Sequence, residues 1–356
     1  MKKTKIYLII ITILIIIHII LKMIITFKIN KRTKKMKIPD VEFPFKNVKN
    51  EKNENLNIMV ITAPFRSDTD KENFNKYIKD YNIPFLGVTS YLNFPGKITH
   101  PHDDPYYKKN FKKHDYINSC IGWCHGFENP LSRGLDSTKI PLMYMSESDI
   151  VTHQFKPNKK KEYDFIYVCL KDNDKCTEGW QSVNRNWKLA KKCFPIMCEK
   201  FNLNGLLIGR LNCKYTPKCK NKITILGNKD DEGKIDYREL MDKMSKSKFL
   251  FLPNIRDASP RVLTEALVLD VPVLVNKNIY SGGKYVNEET GEFFESEKDL
   301  PIVLEKMLHK IKTNQYNPRE WFTSRYSVEK TGKKLYKFIK SIYPEIWEAK
   351  YVSFTR

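Results

Sequence analysis

The sequence predicts an α/β chain of two doubly wound parallel-sheet halves facing a cleft, carried behind an apolar N-terminal helix. Three observations predict it. Apolar runs of strand length alternate with amphipathic stretches of helix length, as in parallel sheets covered by helices. A lysine-rich break, Lys156-Pro-Asn-Lys-Lys-Lys161, divides the alternation in two. Residues 6–21 carry no formally charged side chain.

At 356 residues the chain is long enough for two domains, and 41% hydrophobic residues exclude a disordered one. Of the formal net charge of +22, residues 1–38 hold +10, as nine Lys and one Arg with no acid, and the remainder holds +12. Such a remainder suits an anionic partner: nucleotide phosphates, nucleic acid or an anionic membrane surface. No aromatic-rich platform or nucleic-acid motif accompanies the charge, so no nucleic acid is expected. The eight cysteines form no Cys-x-x-Cys pair, and a chain this long needs no disulfide framework. They are read as reduced, mostly buried thiols. Cys120-x3-Cys124-His125 has atypical zinc spacing and no second half, so no metal is expected.

Lys22 can snorkel, which extends the apolar N-terminal stretch to about residue 27, long enough to cross a bilayer. No small-residue cleavage site follows, so residues 1–27 read as an uncleaved, single-pass membrane anchor spanning 6–27. Lys28, Lys31, Arg32, Lys34, Lys35 and Lys37 follow the span, against Lys2, Lys3 and Lys5 before it. The heavier positive flank places the bulk of the chain in the cytosol. None of the 28 asparagines stands in an Asn-x-Ser/Thr acceptor, which agrees. Residues 28–57, rich in Lys and Asn, read as a basic juxtamembrane stem.

The first half, residues 58–155, opens with a strand at 56–64 and a polar helix at 68–81. Further strands are expected at 83–88, 117–121 and 140–145. The irregular stretch between 91 and 114 holds His100, His102 and Asp103, candidates for an acceptor-binding or catalytic loop. In the second half, residues 160–320, strands are expected at 163–170, 203–208, 222–226, 248–253 and 271–275. Helices fall at about 186–201, 235–247 and after Ser259-Pro260, a cap followed by proline at the first helical position. Residues 321–356 supply a last amphipathic helix.

The helix after Ser259 is the informative one. Val262, Leu263, Ala266, Leu267 and Leu269 cover most of its circumference, so Glu265 lies among apolar neighbours. A buried carboxylate is costly unless protein or ligand pairs with it. Val271-Pro-Val-Leu-Val275 then reads as a strand buried on both faces.

The order Phe-Leu-Phe-Leu-Pro-Asn254, Asp257-x7-Glu265-Ala-Leu, Val-Pro-Val-Leu-Val-Asn276, Gly282-Gly283 and Thr290-Gly-Glu-Phe-Phe294 resembles the C-terminal half of retaining glycosyltransferases of the glycosyltransferase family 4 type. The likeness covers about residues 163–296. It implies a GT-B fold of two Rossmann-like domains: the first for the acceptor, the second for a nucleotide-diphosphate sugar, and the C-terminal helix crossing back to the first. It implies that Glu265 grips the nucleotide ribose and that Asp257, in place of the family's first Glu, faces the donor sugar, the two forming the catalytic pair. Ser259 and Arg261 at the mouth of the helix, and Gly282, Gly283 and Lys284 in the glycine loop, become donor-binding candidates. Lys171, Arg185, Lys188 and Arg210 are the candidates for the family's diphosphate-facing cations. No Asp-x-Asp is present, in keeping with a fold whose chemistry requires no metal.

The reading is therefore a membrane-anchored hexosyltransferase that uses a nucleotide sugar, with the acceptor (carbohydrate, lipid or protein) unassigned. Two alternatives stand beside it. One is an inactive GT-B-like nucleotide-sugar-binding or assembly module, which would bind nucleotide without turnover. The other is a sugar-nucleotide epimerase of the same fold, which would convert donor without acceptor.

Overall fold

A computed structural model of the chain describes residues 38–92, 94–96, 114–211, 213, 222–228, 231 and 233–354. Residues 1–39 and 40–356 form separate units, and the architecture below belongs to the second. The apolar stretch at 6–27 lies outside the described residues, as do His100, His102 and Asp103. Among the described residues no helix is long and apolar enough to cross a membrane.

The first sheet begins earlier than the sequence suggests. Residues read as the end of a stem form strand β1 (Phe45–Asn50), which runs antiparallel to β2 (Asn55–Ile61) with Phe45 opposite Ile61. Only Phe45 and Val48 of β1 are buried, so its polar composition hid a strand with two core anchors. Helix α1 (Asp68–Tyr81) follows, capped by the Ser67 side chain on the Asp70 amide, and leads to β3 (Phe85–Val88).

The expected strand at 117–121 is instead a short helix, α2 (Tyr116–Ser119), with the strand displaced to β4 (Gly122–His125). Asp115 explains the shift, because its carboxylate accepts from the Asn118 amide and starts a helical turn. Gly-Trp-Cys-His is a poor strand signal, yet Gly87 leaves room for the Trp123 ring across the pair. A Cβ at that glycine would come 2.1 Å from the ring. The Trp123 indole donates to Thr89 Oγ1 at 2.8 Å. Strand β5 (Leu142–Tyr144) closes this side.

The second sheet is all parallel, in the order β11-β10-β9-β6-β7-β8, with β6 (Tyr163–Cys169) and β9 (Ser247–Leu252) at its centre. The others are β7 (Gly205–Gly209), β8 (Ile223–Leu226), β10 (Val273–Asn276) and β11 (Gly291–Phe294). On its faces lie α3 (Trp180–Asn184), α4 (Trp187–Pro195), α5 (Tyr237–Ser245), α6 (Arg261–Val268) and α7 (Leu300–Lys312). Leu263, Ala266 and Leu267 of α6 bury against Leu250, Leu252, Val273 and Val275. Truncating one such leucine to alanine costs about 2–5 kcal/mol.

After α8 (Pro318–Arg325), helix α9 (Val328–Ile342) returns to the first sheet. Leu335 and Ile339 join the cluster of Val48, Leu56, Val60, Leu86 and Val88. The chain then adds β12 (Val352–Ser353) beside β1, so the last residues complete the first sheet in the order β12-β1-β2-β3-β4-β5. Nothing in the short Tyr-Val-Ser-Phe run signalled that strand.

Candidate active site

The carboxyl edges of the two sheets meet. From the second, the loop after β9 carries Asn254 and Asp257, and α6 carries Glu265. Arg185, at the end of α3, reaches Asp257 and pairs with it, Nη1 to Oδ2 at 2.6 Å. Asn254 donates to the same oxygen at 3.1 Å, and the Ser259 amide donates to the other at 3.2 Å. Tyr167 fixes the turn by donating to the Arg185 carbonyl, while Asn186 donates to the Pro253 carbonyl. Asp257 is therefore a held carboxylate in a rigid frame.

Glu265 is 6% exposed. Its Oε1 accepts from the Tyr237 hydroxyl at 3.1 Å and lies 3.8 Å from Arg261 Nη2. Burial raises its pKa above the ordinary carboxylate value, partly opposed by Arg261 and by the tyrosine bond. A carboxylate has about four lone-pair sites, so one tyrosine does not exhaust it.

Ser259 does not cap α6. The N-cap position falls on Pro260 with no side-chain bond, and the Ser259 hydroxyl instead meets Ser148 Oγ of the first domain at 2.9 Å. The Arg261 and Leu263 amides donate to the Ser259 and Pro260 carbonyls, so the helix start is largely satisfied from within.

The glycine loop faces the first domain as well. Ser281 pairs with Phe127 in an isolated antiparallel bridge. Gly126 permits this approach, since a Cβ there would lie 2.2 Å from Ser281 Oγ. Gly282 has φ +97°, and its Cβ would strike Pro260 Cγ at 2.5 Å. At Gly283 a Cβ would lie 3.5 Å from Glu128 Oε1.

The predicted cations are largely committed to protein carboxylates. Lys284 reaches across to Asp149 of the first domain at 2.8 Å, both side chains nearly buried. Its ammonium also lies over the rings of Tyr144, Tyr285 and Tyr326. Arg210 is 1% exposed, donating to Ser182 Oγ at 2.6 Å and to Asp172 Oδ2 at 3.2 Å. It stands over the Trp187 ring, and only its Nη1 lacks a partner among the described residues. Lys171 pairs with Asp174 at 2.7 Å, and Lys188 is exposed on α4. Of the four predicted diphosphate cations, Arg185 alone is joined to the predicted catalytic pair.

The thiol expectation needs correction. Cys176 and Cys213 form a disulfide that ties the loop after β6, which carries Asp172, to the segment after Arg210. Cys124, Cys169, Cys193 and Cys198 are free and buried. Among the described residues no group of three His, Cys, Asp or Glu converges as a metal site would.

Asn254 Oδ1, Ser281 Oγ, Asp149 Oδ1 and His125 Nδ1 are buried at this edge with no hydrogen-bond partner among the described residues. An unmet buried polar group costs about 1–3 kcal/mol. His125, at the carboxyl end of β4, lies 5.7 Å from the Tyr144 ring. Burial first, and Lys284 second, hold its pKa down to about 4, so it is neutral at pH 7. The sequence reading weighed His125 only as a metal ligand, quoted Asn254 only as part of the family order, and passed over Tyr144, Ser148 and Asp149. A strand set at 122–125 would have placed His125 at a carboxyl edge; the others carry no local signal.

No protein-family profile matches the sequence, and no curated protein matches it. Solved structures do. TarM from S. aureus superposes with TM-score 0.53 at 14% identity, over 79% of this chain and 54% of that one. Sucrose-phosphate synthase from Thermosynechococcus elongatus gives TM-score 0.54 at 12% identity, over 78% of each chain. HepE from Anabaena, solved with UDP and glucose, gives 0.51 at 11% identity, over 79% of this chain and 77% of that one. The fold is GT-B. The chain spans about half the length of TarM, and at these identities the likeness is one of fold.

Proposed function

We propose that this GT-B chain is a glycosyltransferase that uses a nucleotide-diphosphate sugar. The observation that carries the reading is the pair of unpartnered buried oxygens, Asn254 Oδ1 and Ser281 Oγ, beside the Arg185–Asp257 pair where the carboxyl edges meet. In open α/β sheets ligands bind at that edge, and a sugar's hydroxyls would meet such orphan groups. The HepE structure contains UDP and glucose, which makes UDP-sugars the first donors to try.

In this reading Glu265 accepts from the ribose hydroxyls, and Asp257, braced by Arg185 and Asn254, borders the donor sugar. The bond from the anomeric carbon to the diphosphate breaks with its electron pair leaving on the phosphate oxygen. The acceptor's oxygen bonds to that carbon and passes its proton to the departing phosphate oxygen. Closure by the Ser148–Ser259 and Asp149–Lys284 contacts excludes water and holds the reactants together. Retention of configuration, hexose as the sugar, an anchor at residues 6–27 and a cytosolic bulk domain all belong to this proposal, with acceptor chemistry unassigned.

One observation favours an inactive binding module instead: Lys171, Arg185, Arg210 and Lys284 all carry a carboxylate partner. Turnover separates the readings. The full chain is incubated with UDP- and GDP-sugars and release of nucleoside diphosphate is followed. Release that falls at least tenfold in Glu265→Gln supports a transferase. Donor binding without release, with and without cell-extract acceptors, supports the module, and donor interconversion an epimerase.

A further inference from the structure

A second cavity lies at the opposite edge of the second domain. Its volume is about 700 Å3, within the range of small-molecule sites, and Lys156, Lys159, Lys161, Lys248 and Lys310 line it with one acid, Asp270. The strands explain the position. Lys161 precedes β6, Lys248 is the second residue of β9, and Asp270 and Pro272 precede β10, so the cavity sits at the amino ends of these strands. Asp257 and Gly282 follow the carboxyl ends of β9 and β10. A six-residue strand separates the two edges by about 20 Å.

The lining is polar as well as basic. Asn158, Asn314 and Tyr316 complete it, with Pro157, Pro272, Ile311 and Pro318 as apolar walls. Lys161 donates to the Ser245 carbonyl at 2.8 Å, which leaves two of its three N–H groups for a guest. Lys248 pairs with Asp164, and Lys310 with Glu292, both carboxylates outside the lining. Burial lowers the Lys161 pKa, with Asp270 opposing it weakly. A guest anion would relieve that cost, whereas a cation would add to it.

We propose that this cavity binds a phosphate-bearing anion, separately from the nucleotide-sugar site. With Lys248 and Lys310 matched by Asp164 and Glu292, the three lysines at 156, 159 and 161 against Asp270 set the sign of the guest. The volume admits a diphosphate or phosphomonoester with a small organic body. A free phosphate compound and a phospholipid headgroup share this chemistry.

The test is calorimetric titration of the full chain in neutral detergent with inorganic pyrophosphate, and in parallel with glycerol 3-phosphate and dihexanoyl phosphatidic acid below its micelle concentration. Saturable binding is expected, weakened at least tenfold in Lys156→Gln/Lys159→Gln and again in Lys161→Gln, and unchanged in Glu265→Gln. The double variant touches only exposed side chains, so it keeps the test valid if Lys161→Gln fails to fold. Tighter binding of the short-chain lipid than of glycerol 3-phosphate, sensitive to the same lysines, supports the proposal with a lipid source; equal or weaker binding supports it with a free one. No saturable binding, binding indifferent to the lysine changes, or binding lost in Glu265→Gln overturns it.

Discussion

The Asp149–Lys284 pair is the sharpest place to perturb the cleft, because it joins the domains at 2.8 Å through side chains 2% and 12% exposed. Asp149→Asn leaves the ammonium over three tyrosine rings without its carboxylate, and Lys284→Met leaves a buried carboxylate without its cation. Breaking one side of a buried pair costs about 3–5 kcal/mol, much of it from the charge left behind. The double variant leaves no orphan charge and is expected to regain part of that, a coupling of about 1–3 kcal/mol in the double-mutant cycle. Urea unfolding of the four proteins measures it. His125 gives an independent readout. Its pKa of about 4 is set first by burial and second by Lys284, so Lys284→Met should raise it while leaving it below the ordinary 6.5. NMR titration of the histidine resonances follows this. Strict additivity of the two single changes, or a His125 pKa unmoved by Lys284→Met, would refute a closed, coupled interface.

Further expectations concern single residues. Burial raises the Glu265 pKa above its unfolded value of 4.5, so its stabilising contribution is full below that value and is lost as pH rises through the folded pKa. Glu265→Gln should thus gain stability relative to wild type as pH increases above 4.5, then plateau; a constant difference from pH 4 to 8 would count against it. Gly282→Ala meets both a φ of +97° and the Pro260 ring, and should cost at least about 1 kcal/mol in urea unfolding and weaken donor binding. Alkylation of the unreduced protein followed by peptide mass mapping should leave Cys176 and Cys213 joined, and recovery of both as alkylated thiols would restore the sequence expectation.

The second domain was legible because parallel strands buried on both faces read as continuous apolar runs: Phe-Leu-Phe-Leu252 and Val-Leu-Val275 admit little else. Glu265 was legible for a related reason, as a lone carboxylate on an apolar helix. The first domain was harder. Its β1 has only two buried residues, β4 is built of Gly, Trp, Cys and His, and β12 comes from the far end of the chain. Those elements form through long-range pairing that no local pattern announces. The cations were legible only in part: residue type shows a positive charge but not its partner. Asp172, Asp174 and Asp149 gave no sign in the sequence that they would neutralise Arg210, Lys171 and Lys284.

The central claim is a nucleotide-sugar site at the meeting carboxyl edges, and thermal unfolding of the full chain against UDP, GDP, ADP and their sugars tests it most directly. A ligand at 100 times its dissociation constant adds about 2.7 kcal/mol to stability, a clear rise in melting temperature. One nucleotide and its sugar are expected to raise the melting temperature of wild type, and Glu265→Gln, folded and with the same cooperative transition, to lose the shift. A shift that survives in Glu265→Gln, or none with any nucleotide, would contradict it.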